Sequence, residues 1–141
     1  MKVVVDTNIL VSGLLNPLGK SGQIVRWVAD GFLIPCHDTR VLSEYEEVLR
    51  RPKFDFSPDD IRALLAQVQA GGLVVPSQPL TERLPDPDDE MFLEIALASG
   101  CQFLITGNAR DYPAGIYEAT TIIPPAAFVA DRLKEGFGGG R

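Results

Sequence analysis

Short apolar runs alternate with amphipathic segments along this chain. The runs are bounded by turn residues and predict buried strands near residues 3–5, 32–36, 73–76, 103–106 and 120–123. Between them, apolar residues recur at three- and four-residue spacing and predict helices near residues 7–15, 23–30, 39–51, 58–71, 87–99 and 124–133. Strands that alternate with helices predict a three-layer α/β/α domain around a mainly parallel central sheet.

Length, composition and charge limit the class of protein. The 141 residues, 45% hydrophobic and 23% charged, suit one globular domain. We place this domain at residues 1–135 and expect the Gly-rich segment 136–141 to be a flexible tail. The formal net charge of -6 argues against a dedicated duplex-DNA binder. It leaves open a nucleic-acid enzyme, because site carboxylates inflate the negative count.

The cysteines, the histidine and the N-terminal segment offer few alternatives. Cys36 and Cys101 lack CxxC spacing and are expected to be buried free thiols in a reducing cytoplasm. His37 is the only histidine and is expected at a loop or strand end, so a zinc site or a His-activated nucleophile has little support. Asp6 interrupts the apolar start too early for a signal peptide, and we expect a cytoplasmic protein without a membrane span.

Polar residues follow two of the predicted strands. Asp6 ends the first strand, and ligands of open α/β sheets bind outside the carboxyl ends of strands. The alternative role for Asp6 is an N-cap of the next helix. The loop after the fourth strand contains Asn108 and Asp111, which are site candidates or turn formers.

The run Asp86-Pro87-Asp88-Asp89-Glu90 starts the fifth predicted helix. Asp86 precedes a proline suited to the first helical position and is the natural N-cap. Asp88 and Glu90 suit the positive end of the helix dipole and are expected to face solvent. Asp89 shares the spacing of the apolar stripe, so it is either a site carboxylate or a reciprocal cap on the backbone of Asp86.

These acids together predict one site. Glu44 flanks the apolar face of the third helix and joins Asp6, Asp89 and either Asn108 or Asp111. Carboxylates without matching histidines favour Mg²⁺ or Mn²⁺. Such a site suits the hydrolysis of a phosphodiester bond.

The motifs that carry these acids resemble those of the PIN-domain superfamily, and more closely the PIN-family toxins of toxin–antitoxin modules. They are Val4-Val5-Asp6-Thr7-Asn8, Ser43-Glu44, Asp86-Pro87-Asp88-Asp89, Thr106-Gly107-Asn108 and Asp111-Tyr112-Pro113. The resemblance extends to about Leu133. It implies a parallel-sheet α/β/α fold, metal-dependent endoribonuclease activity, a small antitoxin partner and a homodimer.

The resemblance also implies roles for individual residues. It carries the family's first three acids onto Asp6, Glu44 and Asp89, and Asp86 matches a frequent extra acid. Its remaining counterparts are residues that orient carboxylates and water, namely Thr7, Asn8 and Thr106.

The fourth acidic position departs from the family pattern. Many relatives have Asp there, whereas this chain has Asn108, which brings no charge. Either Asp111 compensates or a second metal binds poorly, so we interpret the site as one ion held by Asp6 and Asp89.

The resulting hypothesis is metal-assisted hydrolysis of single-stranded RNA. Asp6 and Asp89 hold Mg²⁺ or Mn²⁺, while Glu44 and Asp111 complete the acidic pocket. Basic residues near its rim are candidates for contacts with the RNA backbone, although each alone is more typical of a solvated surface charge: Lys20, Arg40, Arg50, Arg51, Lys53 and Arg110.

Three rival functions stay open at this point. A haloacid dehalogenase-like phosphatase needs Asp-x-Asp after the first strand, but the third position here is Asn8. A receiver-like signalling domain needs a phosphoacceptor Asp and a Lys that the later strands do not offer. A weakened PIN module that binds a protein or RNA without cleaving it, and a solitary RNA-processing nuclease, are the remaining alternatives.

Overall fold

The computed structural model describes residues 1–81, 83–112, 116–117 and 119–137, which form six strands and six α-helices. The strands are β1 Lys2–Val5, β2 Ile34–His37, β3 Leu73–Val74, β4 Phe103–Ile105, β5 Ile116–Tyr117 and β6 Thr120–Ile123. The helices are α1 Thr7–Leu15, α2 Lys20–Ala29, α3 Thr39–Leu49, α4 Pro58–Gly71, α5 Glu90–Ser99 and α6 Pro125–Lys134. Two 3₁₀ turns occupy Pro87–Asp89 and Ala109–Asp111.

The strands form one sheet in the order β3-β2-β1-β4-β6-β5. The first five are mutually parallel, and β5 pairs antiparallel with β6 at the edge. Helices flank this sheet, so the predicted α/β class with a mainly parallel sheet is confirmed. The strand β5 was not predicted, because it is only two residues long.

Two predicted strands have different bounds in the structure, for local reasons. Strand β2 begins at Ile34 rather than at Phe32, because the amides of Phe32 and Leu33 donate to the carbonyl of Trp27 at the end of α2. Strand β3 ends at Val74 rather than at Pro76. A proline has no amide to donate to a ladder.

Strand β1 lies in the middle of the sheet between β2 and β4. Val3, Val4 and Val5 are all buried, and each such side chain stabilises the fold by about 1.5–3 kcal/mol. The amide of Asp6 donates to the carbonyl of Ile105 at 3.0 Å. The carboxyl ends of β1 and β4 are therefore side by side, although a hundred residues separate them in sequence.

The hydroxyl of Tyr45 connects α3 to the end of β1. It donates to the backbone carbonyl of Val5, the residue before Asp6, and both residues are buried. The Tyr45 ring stacks on Phe92 of α5, with centroids 6.2 Å apart. Tyr45 thus connects α3 to β1 and α5 next to Asp6.

The end of the chain returns to the body of the fold. The Phe137 ring contacts Trp27 edge-on, with centroids 5.1 Å apart, and also contacts Phe32. The boundary at residue 135 stays a prediction, and residues 138–141 lie outside the described part. Among the described residues, no helix is both long and apolar enough to cross a bilayer.

Two buried tyrosines provide a matched test of this packing. Tyr45→Phe should lower the free energy of unfolding by about 1–2 kcal/mol, because the Val5 carbonyl loses its donor. Tyr112→Phe should change it by less than about 0.5 kcal/mol, or raise it, because the buried Tyr112 hydroxyl has no partner among the described residues. Urea denaturation measures both values, and equal losses in the two variants would contradict the assigned role of Tyr45.

Candidate active site

A pocket of about 240 Å³ opens at the carboxyl end of β1. It lies where α1, α3 and the start of α5 converge. Its described lining is Asp6, Thr7, Asn8, Val11, Glu44, Val48, Phe54, Asp88, Asp89 and Phe92. Three of the predicted acids, Asp6, Glu44 and Asp89, thus line one pocket from three separate elements.

Asp6 is buried at the end of β1, with 5% of its surface exposed. Its side chain makes no capping bond to α1 and instead accepts a hydrogen bond from the Thr106 hydroxyl at 2.7 Å. The Thr106 hydroxyl oxygen in turn accepts from the amide of Asn108 at 3.0 Å. Burial raises the pKa of Asp6, while the bond from Thr106 lowers it in part. The loop after β4 therefore orients the Asp6 carboxylate.

Asn8 fixes the same loop from the other side. Its Oδ1 atom accepts a hydrogen bond from the amide of Gly107 at 3.0 Å. The third residue of the Asp6-Thr7-Asn8 motif thus contacts the loop that carries Thr106, while Thr7 has a buried hydroxyl without a partner among the described residues. Asn8 therefore helps to hold the loop whose Thr106 hydroxyl orients the Asp6 carboxylate.

Asp89 lies on the 3₁₀ turn before α5 and is 7% exposed. Its side chain does not cap the helix, so the alternative role as a reciprocal cap is wrong, and its Oδ2 atom has no partner among the described residues. Burial, followed by the charges of Asp6 and Asp86, raises its pKa to about 7 from an ordinary 3.8. An unpaired oxygen on a carboxylate in this environment is a free ligand position.

The other acids of the helix start separate into two groups. Asp86 is exposed and caps the turn by accepting from the amide of Asp88 at 3.0 Å, as predicted. The prediction that Glu90 faces solvent is wrong. Glu90 is buried, because it accepts from the Leu84 amide at 3.0 Å and pairs with Arg83 at 2.8 Å.

Glu44 is half-buried on α3 and lines the pocket. Partial burial raises its pKa, and the charges of Glu47, Asp88 and Asp6 act in the same direction. The carboxylates around the pocket thus repel one another, and a bound cation would relieve that repulsion.

Comparison with protein families identifies the fold. A family model of the PIN domain matches residues 2–110, which is most of the chain. The chain belongs to the PIN domain family. PIN domains are generally nucleases and typically use divalent metal ions. Comparison with curated proteins gives no match.

The fourth acidic position of this PIN domain lies beside the pocket. The described side chains that line the pocket include neither Asn108 nor Asp111. Asn108 is exposed, and its backbone amide contacts Thr106. Asp111 is half-buried in the second 3₁₀ turn, and its charge contributes to the raised pKa of Asp89. Asp111 therefore acts on the acidic cluster through its charge, whereas Asn108 is connected to it through the backbone contact with Thr106.

The donors of this PIN domain fit a hard divalent cation. Mg²⁺ commonly takes one or two protein carboxylates and completes its shell with water and substrate phosphate. Asp6 and Asp89 supply two carboxylates, and the unpaired Oδ2 of Asp89 supplies an oxygen without a competing partner. Within the described ranges, no group of three His, Cys, Asp or Glu side chains is arranged to hold a metal. An ion here would therefore depend on water or substrate for its remaining ligands.

The basic residues predicted to contact RNA differ in the partners that their side chains have in the structure. Arg40 is bound to Asp38 and Glu94 at 2.8 and 2.7 Å and to the Ser77 hydroxyl at 3.0 Å. Arg50 and Arg51 pair with Glu46 and Glu47 one helical turn earlier. Lys20 and Arg110 are exposed, as is Lys53, whose ammonium lies over the Phe54 ring.

Two residues near the acids were missed in the sequence. Phe54 lines the pocket, although its segment was interpreted only as a connecting loop. Tyr112 has a buried hydroxyl without a described partner; burial raises its pKa, and the nearby charges of Asp6 and Asp89 raise it further. The signals that could have found them are the basic–aromatic run at 50–56 and the position of Tyr112 beside Asp111.

The raised pKa of Asp89 predicts a pH-dependent stability. An unfolded Asp89 ionises near pH 4 and the folded one near 7, so stability declines as the pH rises between these values. Without metal at pH 8, Asp89→Asn should therefore raise Tm by about 2–6 °C. Mg²⁺ should stabilise the wild type and not the variant.

Thermal melts in EDTA and in Mg²⁺, at pH 5 and pH 8, measure this effect. The control is Asp131→Asn, because Asp131 is an exposed aspartate on α6. If the wild type is more stable than Asp89→Asn in EDTA at pH 8, the raised pKa of the Asp89 carboxyl is contradicted.

Proposed function

We propose that this PIN domain is a Mg²⁺- or Mn²⁺-dependent endoribonuclease that hydrolyses single-stranded RNA. One observation carries the proposal: two buried carboxylates, Asp6 and Asp89, line a single open pocket, and Asp89 Oδ2 is unpaired. The negative charge of such buried carboxylates is uncompensated until a cation binds. The choice of RNA as substrate rests on the resemblance to PIN-family toxins.

The residues of the pocket have distinct roles in this mechanism. Asp6, held by Thr106, and Asp89, through its free oxygen, would hold the ion. A divalent ion, when bound, lowers the pKa of water and stabilises charge that develops on the phosphate. Glu44 lines the same pocket, and its raised pKa suits it to accept a proton from the attacking water. Asp111 adds negative charge at the edge and helps retain the cation.

Cleavage of a labelled single-stranded RNA tests the proposal. The wild type should cut the RNA in Mn²⁺ or Mg²⁺ and lose activity in EDTA. Asp6→Asn and Asp89→Asn should each lower the rate by more than about 100-fold, since loss of a residue that only orients a ligand typically costs 10–100-fold. Asp131→Asn should match the wild type.

Full activity in either Asp6→Asn or Asp89→Asn would remove the assignment of that residue. The absence of cleavage by the wild type, despite stabilisation by Mg²⁺, would favour the alternative of a PIN module that binds without cutting. Asn108 supports that alternative, because the fourth acidic position contributes no charge.

We further propose that the protein is the toxin of a toxin–antitoxin pair, acts as a homodimer and is restrained by a small antitoxin. Induced expression of the wild type should then arrest bacterial growth, whereas Asp89→Asn should not. Co-expression of a short reading frame adjacent to the gene should restore growth. Unimpaired growth with an RNA-cleaving wild type would favour a solitary RNA-processing nuclease.

A further inference from the structure

The segment between α3 and α4 combines cations with aromatic rings beside the acidic pocket. It reads Arg50-Arg51-Pro52-Lys53-Phe54-Asp55-Phe56, and three of the chain's 13 basic residues fall within its first four positions. Because Arg50 and Arg51 pair with Glu46 and Glu47, Lys53 is the cation of this segment that lies next to an aromatic ring. Aromatic rings interleaved with cations are the means by which proteins bind single-stranded nucleic acids.

Phe54 connects this segment to the site. Its side chain lines the same pocket as Asp6, Glu44 and Asp89. Its ring stacks on Phe56, with centroids 5.5 Å apart and planes inclined by 13°. Phe56 also packs against the hydrophobic core, so it gives the Phe54 ring a fixed backing. Both rings are half-exposed.

The backbone around the rings is ordered as tight turns. The amide of Phe54 donates to the carbonyl of Arg51 at 3.1 Å, and that of Asp55 donates to Pro52 at 3.2 Å. Asp55 has a φ of 53°, in the left-handed region that is unfavourable for most non-glycine residues. Such strained positions persist where the surroundings hold them and occur often at ligand sites.

We propose that the Phe54–Phe56 ring pair is a stacking site for one unpaired base of a single-stranded nucleic acid whose adjacent phosphate enters the acidic pocket. The proposal rests on the proposed nuclease function and specifies how its substrate is seated. A base stacked on Phe54 presents its backbone to the pocket that Phe54 lines. Bases in a duplex are already stacked on their neighbours, so the site selects single strands.

Lys53 supplies the complementary charge. Its ammonium lies 5.1 Å from the centroid of the Phe54 ring. A long exposed side chain can turn from this ring to a phosphate when a base arrives. Every base has a π-face, so the ring pair tolerates different sequences and favours an unpaired base beside the cut.

The experiment compares a short oligoadenylate with an abasic strand of the same length and charge. Binding is measured in Ca²⁺ for the wild type, Phe54→Leu and Phe54→Trp, with Leu18→Ala as the control at a 91% exposed apolar residue of another loop. The wild type should bind the oligoadenylate about 5- to 100-fold more tightly than the abasic strand. Phe54→Leu keeps apolar volume but should lose this difference, and Phe54→Trp should retain it.

Fluorescence gives a second measure. The native Trp27 is buried, so the additional emission of F54W should be quenched by the oligoadenylate and not by the abasic strand. Thermal melts of each variant confirm folding. Equal affinity of the wild type for the two strands, or unchanged oligoadenylate binding by Phe54→Leu, would overturn the proposal and favour a protein ligand for the ring pair.

The outcomes separate this inference from the nuclease proposal. Base-dependent binding without metal-dependent cleavage supports the stacking site and contradicts the nuclease. Metal-dependent cleavage with an unchanged KM in Phe54→Leu supports the nuclease and contradicts the stacking site. An increased KM in Phe54→Leu that Phe54→Trp restores supports both.

Discussion

The pocket depends on the burial of two carboxylates that have no ion pair with a cationic side chain among the described residues. Asp6 and Asp89 are both almost fully buried, and burial is the first cause of the raised pKa of each. The other buried acids of the described residues have partners. Glu90 has Arg83 and the Leu84 amide, and Glu94 has Arg40 and the Leu80 amide. Within one helical segment, Glu90 and Glu94 thus differ from Asp89, whose Oδ2 atom has no partner among the described residues.

The surrounding structure compensates for this unfavourable arrangement. Strand β1 is fixed by buried valines, by pairing on both sides and by the Tyr45 hydroxyl at its last carbonyl. Thr106 and Asn8 then tie the loop after β4 to the start of α1. These contacts keep the Asp6 carboxylate oriented although it is poorly solvated. This is the usual trade between stability and a preorganised site.

Much of this organisation was predictable, because it follows from local patterns. Apolar runs marked the five parallel strands, and Ser57 and Asp86 capped the helices as their sequence contexts predict. The core-facing direction of Asp89 followed from helical spacing alone. Glu90 was assigned wrongly because its partners, Arg83 and Leu84, lie in a loop whose path no periodic pattern reveals.

The residues missed at the pocket have the same explanation. Phe54 reaches the site through a tight turn with a left-handed residue, and an aspartate at that position gives little indication of such a turn. The distance between Asn108 or Asp111 and the pocket also depends on loop geometry rather than on order in the sequence. The sequence therefore predicted which elements meet, but not the paths of the loops between them.

The position of β4 between β1 and β6 has a consequence for how the protein is made. The acid at residue 6 and its hydroxyl partner at residue 106 are separated by 100 positions, so the first is translated long before the second. Pairings so distant in sequence also form slowly. A nascent chain consequently lacks an assembled pocket until β4 and the loop after it have left the ribosome.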